Sequence, residues 1–294
     1  MRLVKPSVDL WLETKDWQAH VARCARICYA SDKTSNNERM VNNLLERKHT
    51  SMFRHRSHYF IIPEKEAICN KLRLSYSKCP YIEFDSDFQH MYVSTNGHFM
   101  LNNKTLYDEL SQFETDPIHF QNTPIGFNLM RYTFKVVTQI STSRELNRVS
   151  PNNIAEQSTR YVNFVKKELL GAICTPHWMI PLMGTNTEID LYTPLNILHF
   201  ANGDRGTEVY LKACQHDFEA YNELITECDA IPQDARGVLP LDTLTICAYT
   251  YSISEWRAII DLRYYGTTGK PHPNAKIIAE MIRDKLIDYG YDFR

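Results

Sequence analysis

The apolar positions along this chain change their spacing several times, and each spacing predicts an element. In "WQAHVARCARICYA", residues 17–30, Val21, Cys24, Ala25 and Cys28 fall on one helical stripe. In "SNNERMVNNLLERKH" the apolar face is Met40, Leu44 and Leu45, with Ser35 as the expected N-cap. "SHYFIIP" reads as a short strand ended by Pro63. Residues 63–131 are less regular. Within them, the Asn-Gly step of "DFQHMYVSTNGHFML" predicts a hairpin or tight turn. "YTFKVVTQIS" is aromatic and β-branched, as a strand should be. "TEVYLKACQHDFEAYNELITECD" predicts a long amphipathic helix with Val209, Leu211, Ala213, Phe218, Tyr221 and Leu224 among its apolar positions. "DARGVLPLDTLTICAYTYSIS" reads as a loop and then a strand, and "EWRAIIDLRYYG" and "HPNAKIIAEMIRDKLIDYG" as helices. No internal repeat stands out. The mixture predicts one α+β domain over residues 1–294, with residues 63–131 as an insertion.

Composition narrows the function classes. The chain has 294 residues and a net charge of -2, so no global basic field points to nucleic acid. No apolar run approaches a membrane span, and "MRLVKPSVDLWLETKDW" lacks the apolar core of a signal peptide. The eight cysteines are scattered without a paired CxxC, so no zinc site is expected; reduced thiols in a cytoplasmic protein are. No Gly-rich nucleotide fingerprint is present.

Arginine is where the chemistry concentrates. Arg144 and Arg148 lie four apart and share a face if "SRELNR" is helical. Glu156, Ser158 and Arg160 alternate and would point one way in an extended chain. Arg236 precedes a proline-containing turn. Trp256, Ile259, Ile260 and Arg263 fall at i, i+3, i+4 and i+7, which sets a guanidinium on an apolar stripe. A buried arginine needs an anionic or strongly accepting partner, and its rigid donor fork suits phosphate and planar carbonyl groups. With one glutamate and one serine, the set fits a nucleotide. The simpler alternative is that each arginine pairs with a nearby carboxylate and reaches to water.

At these residues the chain resembles the flavin-dependent thymidylate synthases, the ThyX family. The family's R-H-R, seven residues, then S falls here on Arg148, Val149, Ser150 and Ser158, a degenerate version of the motif. E-x-S-x-R-Y is intact as Glu156, Ser158, Arg160 and Tyr161. "HTSMF", "ARGVLPL", "SISEWRAIIDLR" and "HPNAKIIAEMI" are similar to further family segments, in family order. The resemblance implies a central, mostly antiparallel sheet flanked by helices. It implies reductive methylation of dUMP to dTMP, with FAD as cofactor and with NADPH and 5,10-methylenetetrahydrofolate as co-substrates. It also implies a homotetramer with shared sites, and no attacking cysteine. Residue by residue, it places dUMP among Glu145, Arg148, Glu156, Gln157, Ser158, Thr159, Arg160, Arg236 and Arg263. Arg263 would hold the uracil edge as the catalytic group. It places FAD against His49, Ser51, Arg148, Ser150, Glu156, Ser252, Ser254 and His272.

The departures fall on the flavin side. Val149 and Ser150 replace a histidine and an arginine; Ser252, Ile253 and Ser254 stand where the family has Asn-Ala-Arg; Ala258 replaces an asparagine. Each charge-assisted hydrogen bond contributes roughly 1.5–3 kcal/mol, so losing several would weaken a flavin diphosphate grip by orders of magnitude. Lys71, Arg73 and Lys78 are candidates for compensation. Two alternatives stay open: a related pyrimidine-nucleotide enzyme with altered flavin or folate use, and a non-catalytic nucleotide-binding homologue.

Overall fold

The computed structural model describes residues 1–29, 36–148, 151–165 and 171–293. In chain order the strands among them are β1 (Arg2–Val4), β2 (Ser7–Trp11), β3 (Ser57–Pro63), β4 (Ile82–Ser86), β5 (His90–Asn96), β6 (Arg131–Gln139), β7 (Ile154–Glu156), β8 (Ala172–Cys174), β9 (Glu188–Asp190) and β10 (Leu244–Ser252). They form three sheets: β2-β6-β10-β7, β3-β5-β4 and β8-β1-β9. The first two are antiparallel throughout; the third pairs β1 with β8 in parallel and with β9 antiparallel. The expected α+β architecture, antiparallel sheets flanked by helices, is what the chain adopts.

The four-stranded sheet is the frame of the molecule. β6 and β10 pair over nine residues, Leu244 opposite Gln139 through Ser252 opposite Arg131. Side chains alternate across a strand, so the two faces differ. One carries Tyr132, Phe134, Val136, Cys247, Tyr249 and Tyr251, packed with Trp256, Ile260, Ile278 and Ile282 from the helices Ile253–Ile260 and Pro273–Asp288. Trp256 meets Phe134 and Tyr251 edge-on at 5.1 Å and donates its indole N–H to the Tyr132 carbonyl at 3.2 Å. Such aromatic pairs contribute roughly 0.5–1.5 kcal/mol beyond their buried area. The other face meets the helix Trp17–Tyr29 and the 3-10 turn Thr50–His55. There a buried polar line runs from His20 through Thr133 and Thr250 to His55, with spacings of 2.9, 2.6 and 2.7 Å.

Several local expectations change. The Asn-Gly step turns no hairpin. β5 ends at Asn96, whose side chain accepts from the Phe99 amide and caps the helix Gly97–Asn102. Gly97 is needed there for close approach, since a Cβ would meet the Phe53 carbonyl oxygen at 3.0 Å. Ser35 lies outside the described residues; Asn36 caps the helix Asn37–Glu46 by accepting from the Arg39 amide. In the helix Arg205–Thr226 the buried stripe is Thr207, Leu211, Cys214, Phe218 and Tyr221, while Val209 and Ala213 are exposed. The spacing of 4, 3, 4, 3 leaves those two on the outward arc.

Residues 63–131 supply β4, β5 and short helices, but their sheet begins earlier, at Ser57 in β3. That unit has its own apolar cluster, including Phe60, Leu72, Met91, Val93 and Leu110. No helix among the described residues is long and apolar enough to cross a membrane. All eight cysteines are free.

Candidate active site

The site forms on the aromatic face of the four-stranded sheet, where edge strand β7 meets β10. Glu156 stands opposite Cys247 in that register, between the side chains of Thr245 and Tyr249. The helix Ile140–Leu146 and its C-cap Asn147 cross above it. Ser143 and Asn147 are four apart, so both reach the same carboxylate. Ser143 donates to Oε1 at 2.7 Å and Asn147 to Oε2 at 3.4 Å, and the Thr245 hydroxyl lies 3.4 Å from Oε1. Tyr249 donates to the Asn147 amide oxygen at 2.9 Å and fixes its orientation. Burial, with the Glu156 charge adding to it, pushes the Cys28 and Cys247 thiols above their usual range. Both therefore stay protonated near neutral pH and are poor nucleophiles.

Two arginine groups flank this carboxylate. On one side Glu145 lies 3.5 Å from Arg263 and 3.7 Å from Arg148. The α-helical stripe expected through Arg263 does not continue: the helix ends at Ile260, and Asp261–Tyr265 is a π turn closed by Gly266 at φ 73°. The wider turn slows the rotation of successive residues. Arg263 comes out at the margin of the stripe, with its side chain 14% exposed and facing Glu145. Its Nε is buried without a hydrogen-bond partner among the described residues. Arg148 lies beyond the end of the helix at Leu146, in a turn, so it does not share a helical face with Arg144; both are exposed.

On the other side, the extended alternation expected through Arg160 stops after Glu156. The Ser158 hydroxyl accepts from the Arg160 and Tyr161 amides at 3.2 and 3.3 Å and turns the chain. That turn sends Thr159 and Arg160 toward the 232–238 segment. Arg236 donates to the Thr159 hydroxyl at 3.1 Å, and Arg160 to the Gln233 amide oxygen at 3.5 Å. Gln157 is 4% exposed, and neither polar atom of its side chain has a hydrogen-bond partner among the described residues. Of the expected nucleotide residues, Glu145 thus meets Arg148 and Arg263, and the turn at Ser158 brings Thr159 to Arg236, while Glu156 and Gln157 lie on the strand edge before that turn.

The positions expected to hold a flavin behave differently. His49 and Ser51 are exposed at the start of the 3-10 turn Thr50–His55, and His49 makes no side-chain capping bond. His272 sits exposed at the N-cap of the helix Pro273–Asp288, also without a side-chain cap. Ser150 lies outside the described residues. Ser252 is buried and Ser254 exposed, and both hydroxyls donate to Oε1 of Glu83 in β4, at 2.6 and 2.5 Å. Two of the three cations named as candidates for compensation already have partners. Lys71 is paired with Glu109 at 2.6 Å, and Arg73 with Glu64 and Ser86.

Ser143, Asn147, Thr245, Tyr249 and Glu83 were not legible as site residues from sequence. The i, i+4 spacing of Ser143 and Asn147 and the alternation of Thr245, Cys247 and Tyr249 were the available signals. A separate cavity of about 270 Å³, lined by Trp17, Phe53, Arg56, His58, Met100 and Tyr107 among others, shares no residue with the arginine groups. No metal-holding group of three or more His, Cys, Asp or Glu occurs among the described residues.

This α+β protein thus has a candidate site made of Glu156 on an antiparallel sheet edge, Arg148 and Arg263 beside Glu145, and Arg160 and Arg236 around the turn that follows the edge strand. The chain belongs to the thymidylate synthase complementing protein family, whose model matches residues 64–288. Among solved structures it is similar to a UMP/dUMP methylase, PolB, from Streptomyces cacaoi. The form bound with 5-Br dUMP is 15% identical over 98% of this chain and 93% of that one, with a TM-score of 0.45. The form bound with 5-Br UMP is 16% identical over 97% and 91%, with a TM-score of 0.43. No curated protein matches the chain in sequence.

Proposed function

We propose that this protein methylates dUMP at C5 of the uracil ring, giving dTMP. Family membership supports the reaction class at a coarse level. The observation that carries the reading is the pairing of unmet buried donors with retained guanidinium groups. Arg263 Nε and both polar atoms of the Gln157 side chain lack hydrogen-bond partners among the described residues, as expected of groups that a ligand completes.

In this reading Arg160 and Arg236, on the exposed turn, hold the phosphate. Arg148 and Arg263 reach the uracil edge from the helix side, displacing Glu145 as their acceptor. C5 becomes nucleophilic as negative charge builds on the ring carbonyl oxygens. A guanidinium fixed beside that charge lowers the barrier, because it is oriented before the reaction begins. C5 forms a carbon–carbon bond to a one-carbon unit and loses its proton. The bond from that carbon to the folate nitrogen breaks, tetrahydrofolate leaves, and a hydride drawn from NADPH, which becomes NADP+, completes the methyl group. Methylenetetrahydrofolate and NADPH are the co-substrates that fit this balance. Glu156, fixed by Ser143, Asn147 and Thr245, orients the nucleotide from below. Cys28 and Cys247, the thiols beside Glu156, are pushed up by burial and so are poor nucleophiles toward the ring.

Free thiols fit a reducing cytoplasm, and a homotetramer would complete the exposed arginine surface from a second subunit. A second reading, a uracil-nucleotide enzyme with altered flavin use, is favoured by Glu83 on the hydroxyls of Ser252 and Ser254.

The test is direct. The purified protein is incubated with dUMP, methylenetetrahydrofolate and NADPH, with and without FAD, and dTMP is measured by chromatography. Formation of dTMP in either mixture supports the reaction. Saturable dUMP binding without any dTMP would leave a nucleotide-binding homologue and reject the activity.

A further inference from the structure

The start of the helix Ile253–Ile260 is where the family resemblance places part of a flavin. The residues present there do not fit a diphosphate. The Ser252 and Ser254 hydroxyl oxygens lie 3.0 Å apart, and both donate to Oε1 of Glu83. Within the helix, Glu255 closes a capping box: its Oε2 accepts from the Ser252 amide at 2.8 Å, and the Ser252 hydroxyl accepts from the Glu255 amide. The Glu83 carboxylate thus takes up the two serine hydroxyls and Glu255 takes up the Ser252 amide, at the point where a helix start would otherwise offer donors to an anion. The nearest buried cation, Arg131, is engaged with Glu255 at 3.7 Å and with the Thr250 carbonyl at 3.2 Å. Burial raises the Glu255 carboxyl, Arg131 opposes this, and the Glu83 charge adds to the rise. A doubly charged diphosphate would meet the carboxylates of Glu83 and Glu255 there, and the buried guanidinium beside them, Arg131, is already engaged.

We infer that Glu83 takes the place of a bound anion at the start of this helix, so that the chain does not hold the diphosphate of a flavin dinucleotide there. The inference rests on the reading of the chain as a uracil-nucleotide enzyme of this family, and it narrows which cofactor contacts that enzyme can make. It also assigns a role to the β3-β5-β4 unit: its edge strand fastens onto the catalytic sheet by closing this helix start. Serine supplies hydroxyls short enough to receive a carboxylate from β4, where an arginine side chain would fill the same space.

The experiment titrates FAD into wild-type protein and into Glu83→Gln and Glu83→Ala, reading the quench of flavin fluorescence. dUMP binding is measured calorimetrically on the same samples. Glu83→Gln keeps an acceptor for both serine hydroxyls while removing the charge, so it guards against a variant that merely unfolds. Wild-type protein should bind FAD weakly, and both variants should bind it at least about tenfold more tightly, about 1.4 kcal/mol. FAD affinity that is unchanged or weaker in Glu83→Gln would overturn the inference. Loss of dUMP binding in wild-type protein would instead reject the nucleotide reading, and the two failures are read on separate signals.

Discussion

Arg263 lies 3.5 Å from the carboxylate of Glu145, across a gap between a π turn and the helix Ile140–Leu146. The contact is too long for a tight bidentate pair, and Nε of the same guanidinium has no hydrogen-bond partner among the described residues. Glu145 thus holds Arg263 in place without saturating it, which is the condition a ligand-binding arginine needs before the ligand arrives. Replacing Arg263 with alanine should lower kcat for dTMP formation by about 10²–10³-fold, the scale of removing one fixed donor from a developing charge. The melting temperature should change little, because the side chain sits at the margin of the core. A variant that forms dTMP at the wild-type rate would show that Arg263 has no part in the chemistry.

Ser143 makes the shortest hydrogen bond to Glu156, at 2.7 Å. Its loss in Ser143→Ala leaves the carboxylate with the longer contacts to Asn147 and Thr245. A hydrogen bond to a charged group contributes about 1.5–3 kcal/mol. Affinity for dUMP should therefore weaken by about tenfold or more, measured by calorimetry, while circular dichroism stays that of the wild type. Unaltered affinity would separate Glu156 from the nucleotide.

Gly266 ends the π turn at φ 73°, where an added Cβ would lie 2.7 Å from the Gly269 carbonyl oxygen and 2.8 Å from the Pro271 ring. Gly266→Ala combines a left-handed backbone with a direct clash, for a cost of about 1–3 kcal/mol. The melting temperature should fall, and kcat should fall further than stability alone explains, because the turn sets the position of Arg263. Normal kcat in a measurably destabilised variant would count against that coupling.

Glu13 and the buried histidines oppose each other in acid. Burial raises the Glu13 carboxyl to about 7. Its contribution is full below about pH 4.5 and is lost as pH rises through about 7, worth at most about 3 kcal/mol. Burial lowers His20 to about 4 and His55 to about 3. Their contribution is full above about pH 6.5 and is lost as pH falls toward those values. Glu13→Gln removes the first effect alone. Urea midpoints between about pH 4.5 and 6.5 should then rise more steeply with pH than in the wild type, and flatten above. Parallel curves for the two proteins would show that Glu13 ionises normally.

The elements of the frame were legible because their patterns are long and local. The β-branched and aromatic run of β6 reads as a strand in any context. The helix after Trp17 reads from its stripe of Val21, Cys24 and Ala25, all buried. Arg148, Ser158, Arg160, Arg236 and Arg263 were legible as a set through their order along the chain. Misreadings occurred where two local rules competed. Asn96 and Gly97 satisfy a hairpin turn and a helix cap equally well, and the neighbouring Phe53 backbone selects the cap. Ser158 satisfies a strand and a turn equally well, and its hydroxyl selects the turn.

By itself the sequence determined the strands and helices, the family, and which guanidinium groups are present, since these follow from residue type and short-range spacing. Only the tertiary structure decided what those groups touch. Ser252 and Ser254 meet Glu83 across 169 and 171 residues of chain. The helix start looks open when read locally, and it is closed by a carboxylate that a separate sheet delivers. The physical reason is that a hydrogen-bond donor carries no mark of its partner. Backbone register and packing bring the acceptor within reach, and they are set by the whole chain at once.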